Sequence, residues 1–305
     1  MNKYIFIEPI NTLPPESCIF IGSGDFHLLN VLRAITGSAK LRNTATNKEY
    51  KLDLNLTYIP IKKIDRPNAK KFIENFQDLT INSLSDENII RNFMHARHRN
   101  REFYKIVEKE LIEAILSFKS KNYIKSFLFI YRLIETISFT TPLIFLSKNS
   151  DYFKTYDELK KLFNSDESIG ELGFFKKFIL TLFKNDDYLS VGATLDFKCI
   201  NDLNDRSDCI QRYEKYMTKK KGDNTQIEGL ISRNGDEIVL QATNFHEFFI
   251  NFRNRFFHNL KGSIRENLQA TDIFDTELFF KPIVTQGLNH IGLILFKLIE
   301  KDLEF

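Results

Sequence analysis

The chain has 305 residues, 43% of them hydrophobic, and a formal net charge of +3. That composition supports a large apolar core and excludes a disordered or collagen-like chain, while so small a charge does not by itself demand a nucleic-acid partner. Three scattered cysteines (Cys18, Cys199 and Cys209) are too few for a disulfide framework or a zinc site. With no secretory leader pattern and with apolar runs such as Ile291–Phe296 too short to span a bilayer, a soluble cytoplasmic protein with reduced thiols and no membrane partner is expected.

Residues 1–65 read as strands and turns around one helix. Tyr4–Ile7 is a short apolar run closed by Pro9, and Cys18–Ile21 is another after Pro14-Pro15. Phe26–Ile35 fits a helix. Leu52, Leu54 and Leu56 alternate with polar residues, the period of a half-buried strand, before the breaks at Pro60 and Pro67. The turn Gly22-Ser23-Gly24-Asp25 resembles a phosphate loop, but the third glycine of a dinucleotide fingerprint is missing, so an ordinary strand-to-helix turn is the expectation.

From residue 69 the pattern becomes helical. Phe103, Ile106, Val107, Leu111, Ala114, Ile115 and Phe118 mark one helix face, interrupted only by Glu110. A second helix runs through Ile124, Phe127, Ile130, Tyr131, Ile134 and Ile137 and is predicted to end before Pro142. The short Lys121-Asn122 link predicts an antiparallel hairpin.

Residues 150–243 read as an insertion. Tyr156–Phe163 and Phe174–Phe183 suggest short helices, Asp196–Asp208 a polar loop, and Gln226–Ile231 with Glu237–Leu240 a β-hairpin about Asn234-Gly235. The basic run Lys219-Lys220-Lys221 is read as a solvated loop, with attraction to RNA the lesser alternative.

Phe245–Leu260 is then a third long helix, with Phe245, Phe248, Phe249, Phe252, Phe256 and Phe257 on its apolar face, Asn244 with Glu247 as a capping pair and Gly262 as its stop. A fourth helix is predicted over Gln286–Lys301.

The chemistry concentrates in Phe252-Arg253-Asn254-Arg255-Phe256-Phe257-His258-Asn259. On a helix, His258 stands one turn beyond Asn254, and Arg253 is long enough to reach the same patch. Imidazole can move a proton near neutral pH, guanidinium can stabilise a pentavalent phosphate, and an amide can orient either. These are parts for RNA cleavage by a ribose 2′-hydroxyl, and a symmetric dimer would supply the second acid or base. The same cations also suit a helix C-terminus without chemistry. Arg91-Asn92 with His95 and His98 forms a looser version of the pattern, read as a basic turn in which Arg97 and Arg99 attract RNA. Arg132 and Glu135 are read as an ion pair or as support for the site, and His246 and His290 as surface or interface residues. No metal-ligand spacing, Walker loop or Gly-x-Ser-x-Gly elbow occurs, so no cofactor is expected.

Arg253-Asn254-Arg255-Phe256-Phe257-His258 resembles the Arg-polar-three-residue-His motif of the HEPN superfamily of helical domains. The helix pair at 102–139, the motif helix and a following helix resemble that family's four-helix order, and Tyr131-Arg132-Leu133-Ile134-Glu135 resembles its second helix. The likeness spans residues 96–305 apart from the insertion at about 150–243; it leaves residues 1–95 as a small α/β region that senses a trigger, contacts a partner or shapes the substrate site. It implies a mainly α fold and a metal-independent endoribonuclease. Catalysis would fall to Arg253, Asn254 and His258 in a homodimer, and RNA contacts to Arg255 and Lys219, Lys220 and Lys221. The role implied is that of a toxin or phage-defence effector, with an inhibitor or sensor protein as a further partner. A HEPN-like module that binds RNA, nucleotide or protein without cleavage is the alternative.

Overall fold

The computed structural model describes residues 3–6, 26–57, 99–147, 151, 153, 155–157, 160, 178–179, 192–221, 224–257, 273 and 275–303. It is mostly helical, with small antiparallel sheets. In chain order the elements are β1 (Tyr4–Phe6), α1 (His27–Ile35), β2 (Ala39–Asn43), β3 (Glu49–Leu52), α2 (Arg101–Lys119), α3 (Tyr123–Leu146), β4 (Gly192–Asp196), α4 (Leu203–Met217), β5 (Thr218–Lys221), β6 (Asn224–Ile227), β7 (Leu230–Arg233), β8 (Glu237–Gln241), α5 (Ala242–Phe257) and α6 (Thr276–Leu303).

The N-terminal elements lie where the sequence puts them, with additions. β1 and α1 match the predicted run and helix. β2, which the sequence reading passed over, pairs with both β1 and β3 to make a three-stranded meander. The strand predicted through Leu56 stops at Leu52; the chain then folds so that the Leu56 amide donates to the Ile35 carbonyl at the end of α1. That end closes on Gly37 at φ +72°, with Ser38 N–H donating to the Arg33 carbonyl and Gly37 N–H to Ala34. A left-handed residue is what such a cap needs, and glycine adopts it at no steric cost. The apolar run Cys18–Ile21, the turn Gly22–Asp25 and the boundary expected at residue 95 lie outside the described residues.

α2 and α3 form the expected hairpin, with Lys121 in the left-handed region at the turn. On α2 the apolar face is rotated slightly from the predicted one. Tyr104 and Ile112 are buried, while Ile106 is exposed. α3 does not stop before Pro142 but continues to Leu146. Pro142 removes only the hydrogen bond to the Ser138 carbonyl, and burial of Ile137, Ser138, Thr141 and Ile144 on both sides holds the helix together. α6 likewise begins ten residues before the predicted Gln286. Asp275 accepts from the Leu278 amide as its N-cap, and the helix passes through Pro282. The hydroxyl of Tyr213 on α4 donates to the Phe279 carbonyl just before that proline, at 2.6 Å.

By length and composition alone, Tyr123–Ile144 and Thr276–Asp302 are apolar enough to cross a membrane, which corrects the expectation from short runs such as Ile291–Phe296. In the fold these helices are central: 59% and 78% of the two apolar windows are buried in protein. α6 packs on α3, α1, β4 and α5, and the core is one contiguous apolar cluster running from Phe6 to Ile299.

The insertion is more regular than predicted. The loop predicted over Asp196–Asp208 is confined to 197–202: β4 ends at Asp196, and α4 starts at Leu203, capped by Asp202, which accepts from the Asn204 and Asp205 amides. The predicted hairpin about Asn234-Gly235 forms between β7 and β8, and β4 adds to its other edge. Its turn uses Asn234 rather than a left-handed glycine, since Asn234 Oδ1 accepts from the Asp236 and Glu237 amides at 2.8 Å. Gln226–Ile231 is split by a turn at Glu228-Gly229, so Gln226 and Ile227 pair instead with β5. Lys219, Lys220 and Lys221 therefore sit in a strand, not a loop.

Candidate functional site

α5 carries the site residues, and it is anchored by aromatic packing. Phe252 is wholly buried among the rings of Phe127, Tyr213, Tyr216, Phe248, Phe279 and Phe280, with centroids between 5.4 and 6.2 Å. Phe249 sits over Gly287 of α6, where any Cβ would lie 2.8 Å from its ring. α5 begins at Ala242, so Asn244 lies inside the first turn and is not the N-cap. Asn244, Glu247, Asn251 and Asn254 recur at helical spacing, half-buried or exposed, as a polar stripe opposite the phenylalanines. Asn244 and Glu247, expected to cap the helix, belong to this stripe instead.

The last turn of α5 crosses α3. Phe257 stacks near Phe127, at 6.4 Å, and the Arg253 guanidinium lies 4.3 Å from the centre of the Tyr131 ring. Arg253 Nη1 also donates to Asn254 Oδ1 at 3.1 Å, so ring and amide fix the guanidinium from two sides. Asn254 is exposed and Arg253 half-buried, so the pair faces solvent. Tyr131, which the sequence marks only as part of the second helix, is the unforeseen support of Arg253 here. The available signal was its place one turn before Glu135 on the helix already singled out. His258 directly follows the helix and lies outside the described residues.

Arg255 takes a different direction. Its guanidinium lies 5.3 Å from the Tyr216 ring and lines a pocket of about 90 Å³ together with Asn244, Glu247 and Asn251. The two arginines flank the polar stripe rather than sharing one patch.

The remaining predicted residues separate from the site. Arg132 does not pair with Glu135 but with Glu110 across the hairpin, at 2.8 Å. Burial raises the Glu110 carboxyl above its ordinary range, and Arg132 offsets part of that rise. Arg99 belongs to a clamp between α2 and α6: it donates to the Asp302 carbonyl at 3.4 Å, while Asn100 and Tyr104 donate to the buried Asp302 carboxylate at 3.3 and 3.1 Å. Burial, and then Asp302, push the Tyr104 phenol well up. Arg91, His95, Arg97 and His98 lie outside the described residues. His246 and His290 are not surface residues; both are buried between α5 and α6, with Nδ1 of the first 3.1 Å from Nε2 of the second. Burial, and then the neighbouring imidazole, hold His290 well below its ordinary value, so it stays neutral. Cys199 and Cys209 are free thiols pushed up by burial, the opposite of an activated nucleophile. Among the described residues no group of three or more His, Cys, Asp or Glu side chains is placed to hold a metal ion.

No family model, curated protein or solved structure matches this chain.

Proposed function

We propose that the chain is an RNA endonuclease of the HEPN type, working as a homodimer in the cytosol as a toxin or phage-defence effector. The observation that carries the reading is the Arg253–Asn254 pair. It ends a long helix, is open to solvent and is held rigid on the Tyr131 ring, in the Arg-Asn-three-residue-His order that the resemblance rests on. A guanidinium fixed in advance costs little reorganisation when charge builds on a phosphate.

On this reading the ribose 2′-hydroxyl attacks the adjacent phosphorus and the bond to the 5′-oxygen breaks. The ends left are a 2′,3′-cyclic phosphate and a 5′-hydroxyl. His258 moves the proton, Arg253 stabilises the phosphorane and Asn254 positions it. A second copy of the helix end supplies the other proton-transfer group across a two-fold axis. The polar stripe through Asn244, Glu247 and Asn251, with Arg255 beside it, gives the RNA strand a path along α5.

The test compares wild type with Arg253→Ala and His258→Ala on end-labelled RNA, with oligomeric state followed in parallel. Cleavage should fall at least a hundredfold in each variant while the dimer persists. Cleavage unchanged in both variants would refute the assignment of these residues. RNA bound but never cut by wild type would identify a binding module instead.

A further inference from the structure

A second site lies far from α5 in the chain, between β1, α1 and α2. A cavity of about 270 Å³ is lined by Lys3, Tyr4, His27, Glu108, Lys109, Ile112 and Glu113. Its inner groups are a dyad. His27 Nδ1 lies 2.8 Å from Glu108 Oε2, and Asn30 Nδ2 donates to the same oxygen at 3.0 Å. Both His27 and Glu108 are more than nine-tenths buried.

The hydrogen bonds around this dyad can be followed atom by atom. With a carboxylate oxygen accepting, Nδ1 of the ring donates to Glu108, and Nε2 is left for another partner. Among the described residues, neither His27 Nε2 nor Glu108 Oε1 has a hydrogen-bond partner. A structural dyad sealed in the core would satisfy both atoms or leave them no room. His27 and Glu108 instead line a cavity, where ligand hydroxyls, which both donate and accept, can meet them.

The opening has the other polarity. Lys3 is mostly exposed and Lys109 exposed. Glu113 is held by both Lys3 and Lys125, at 3.3 Å for the latter. The lining carries two lysines, Lys3 and Lys109, against two carboxylates, Glu108 and Glu113; with Lys3 and Lys125 both on Glu113, Lys109 is the lining cation without a carboxylate partner among the described residues. Tyr4 gives an aromatic wall, steadied edge-on by Tyr50 at 6.1 Å, and Ile112 an apolar one.

We propose that this cavity binds a phosphorylated sugar, either free or as the ribose phosphate of a mononucleotide. The hydroxyls meet His27 Nε2 and Glu108 Oε1, the phosphate sits between Lys3 and Lys109, and the sugar or base lies against Tyr4 and Ile112. The site is independent of the nuclease reading, since it shares no residue with the α5 helix end.

The test is calorimetric titration of the full chain with ribose 5-phosphate, AMP, ribose and inorganic phosphate. Saturable binding is expected for ribose 5-phosphate and AMP, at least tenfold tighter than for ribose or phosphate alone. AMP binding more tightly than ribose 5-phosphate would assign the Tyr4 wall to a base, and equal affinity would assign it to the sugar; either supports the site. His27→Gln and Lys109→Ala should each weaken binding at least tenfold. Lys109 is exposed, so its variant reads the site even if the buried change at His27 perturbs folding. No binding of either sugar phosphate by wild type would overturn the proposal. So would affinity unchanged in Lys109→Ala, or phosphate alone binding as tightly as its sugar esters.

Discussion

The last turn of α5 and the cavity beside α1 are two ways of holding a polar pair. At α5, Arg253 and Asn254 are neighbours in sequence, open to solvent, and fixed by one aromatic ring from another helix. At the cavity, His27 and Glu108 are 81 residues apart, buried, and joined directly across two helices. The first kind is written locally and shows as a motif. The second exists only once the core has closed. The contrast teaches that the α5 site tolerates sequence change around it as long as its helix is anchored, whereas the cavity site is part of the core that makes it.

The anchoring can be broken first. Phe252→Ala removes a ring in contact with α3, α4 and α6, and should lower stability by about 3–5 kcal/mol in denaturant melts. A loss below about 1 kcal/mol would mean that α5 is not held as described. Next comes the clamp at the other end of α6. Asp302→Ala strips the Tyr104 hydroxyl of its acceptor and should cost about 1–3 kcal/mol by the same measurement.

The buried imidazoles sharpen the comparison through pH. His290 binds its proton less readily folded than unfolded, so the unfolded chain takes up more protons as pH falls below the ordinary value of 6.5. Stability from this residue is complete above that pH and declines beneath it, by up to about 1.4 kcal/mol per pH unit. Thermal melts between pH 7.5 and 5 should show the decline, and His290→Asn should flatten it. An identical slope in the variant would contradict a buried His290 held neutral in the fold. The smallest effect belongs to the Arg132–Glu110 pair: Arg132→Ala should cost about 1 kcal/mol, because Arg132 is half exposed although Glu110 is mostly buried.

How much was legible follows from where each signal resides. The α2–α3 hairpin, the phenylalanine face of α5 and the β7–β8 hairpin came from periodicity and one turn signal, all short-range. The helix end predicted at Pro142 failed, and the start predicted at Gln286 fell ten residues late. Pro142 and Pro282 are carried inside helices whose tertiary burial outweighs the missing hydrogen bond, and burial is not visible at a single proline. The Arg132–Glu135 pairing failed for a related reason: Glu110, on the partner helix of the hairpin, is nearer in space than the residue one turn away. His246 and His290 carry polar rings, and only their 44-residue contact shows them to be core. Arg253 and Asn254 were readable because their spacing is their geometry; Tyr131 beneath them was not.

If the α5 helix end cleaves RNA through its own side chains, as proposed, the chemistry of the product ends will report it. Purified chain incubated with RNA should leave 2′,3′-cyclic phosphate and 5′-hydroxyl ends, detected by end-specific ligation and mass spectrometry. Products ending in 3′-hydroxyl and 5′-phosphate would contradict the account.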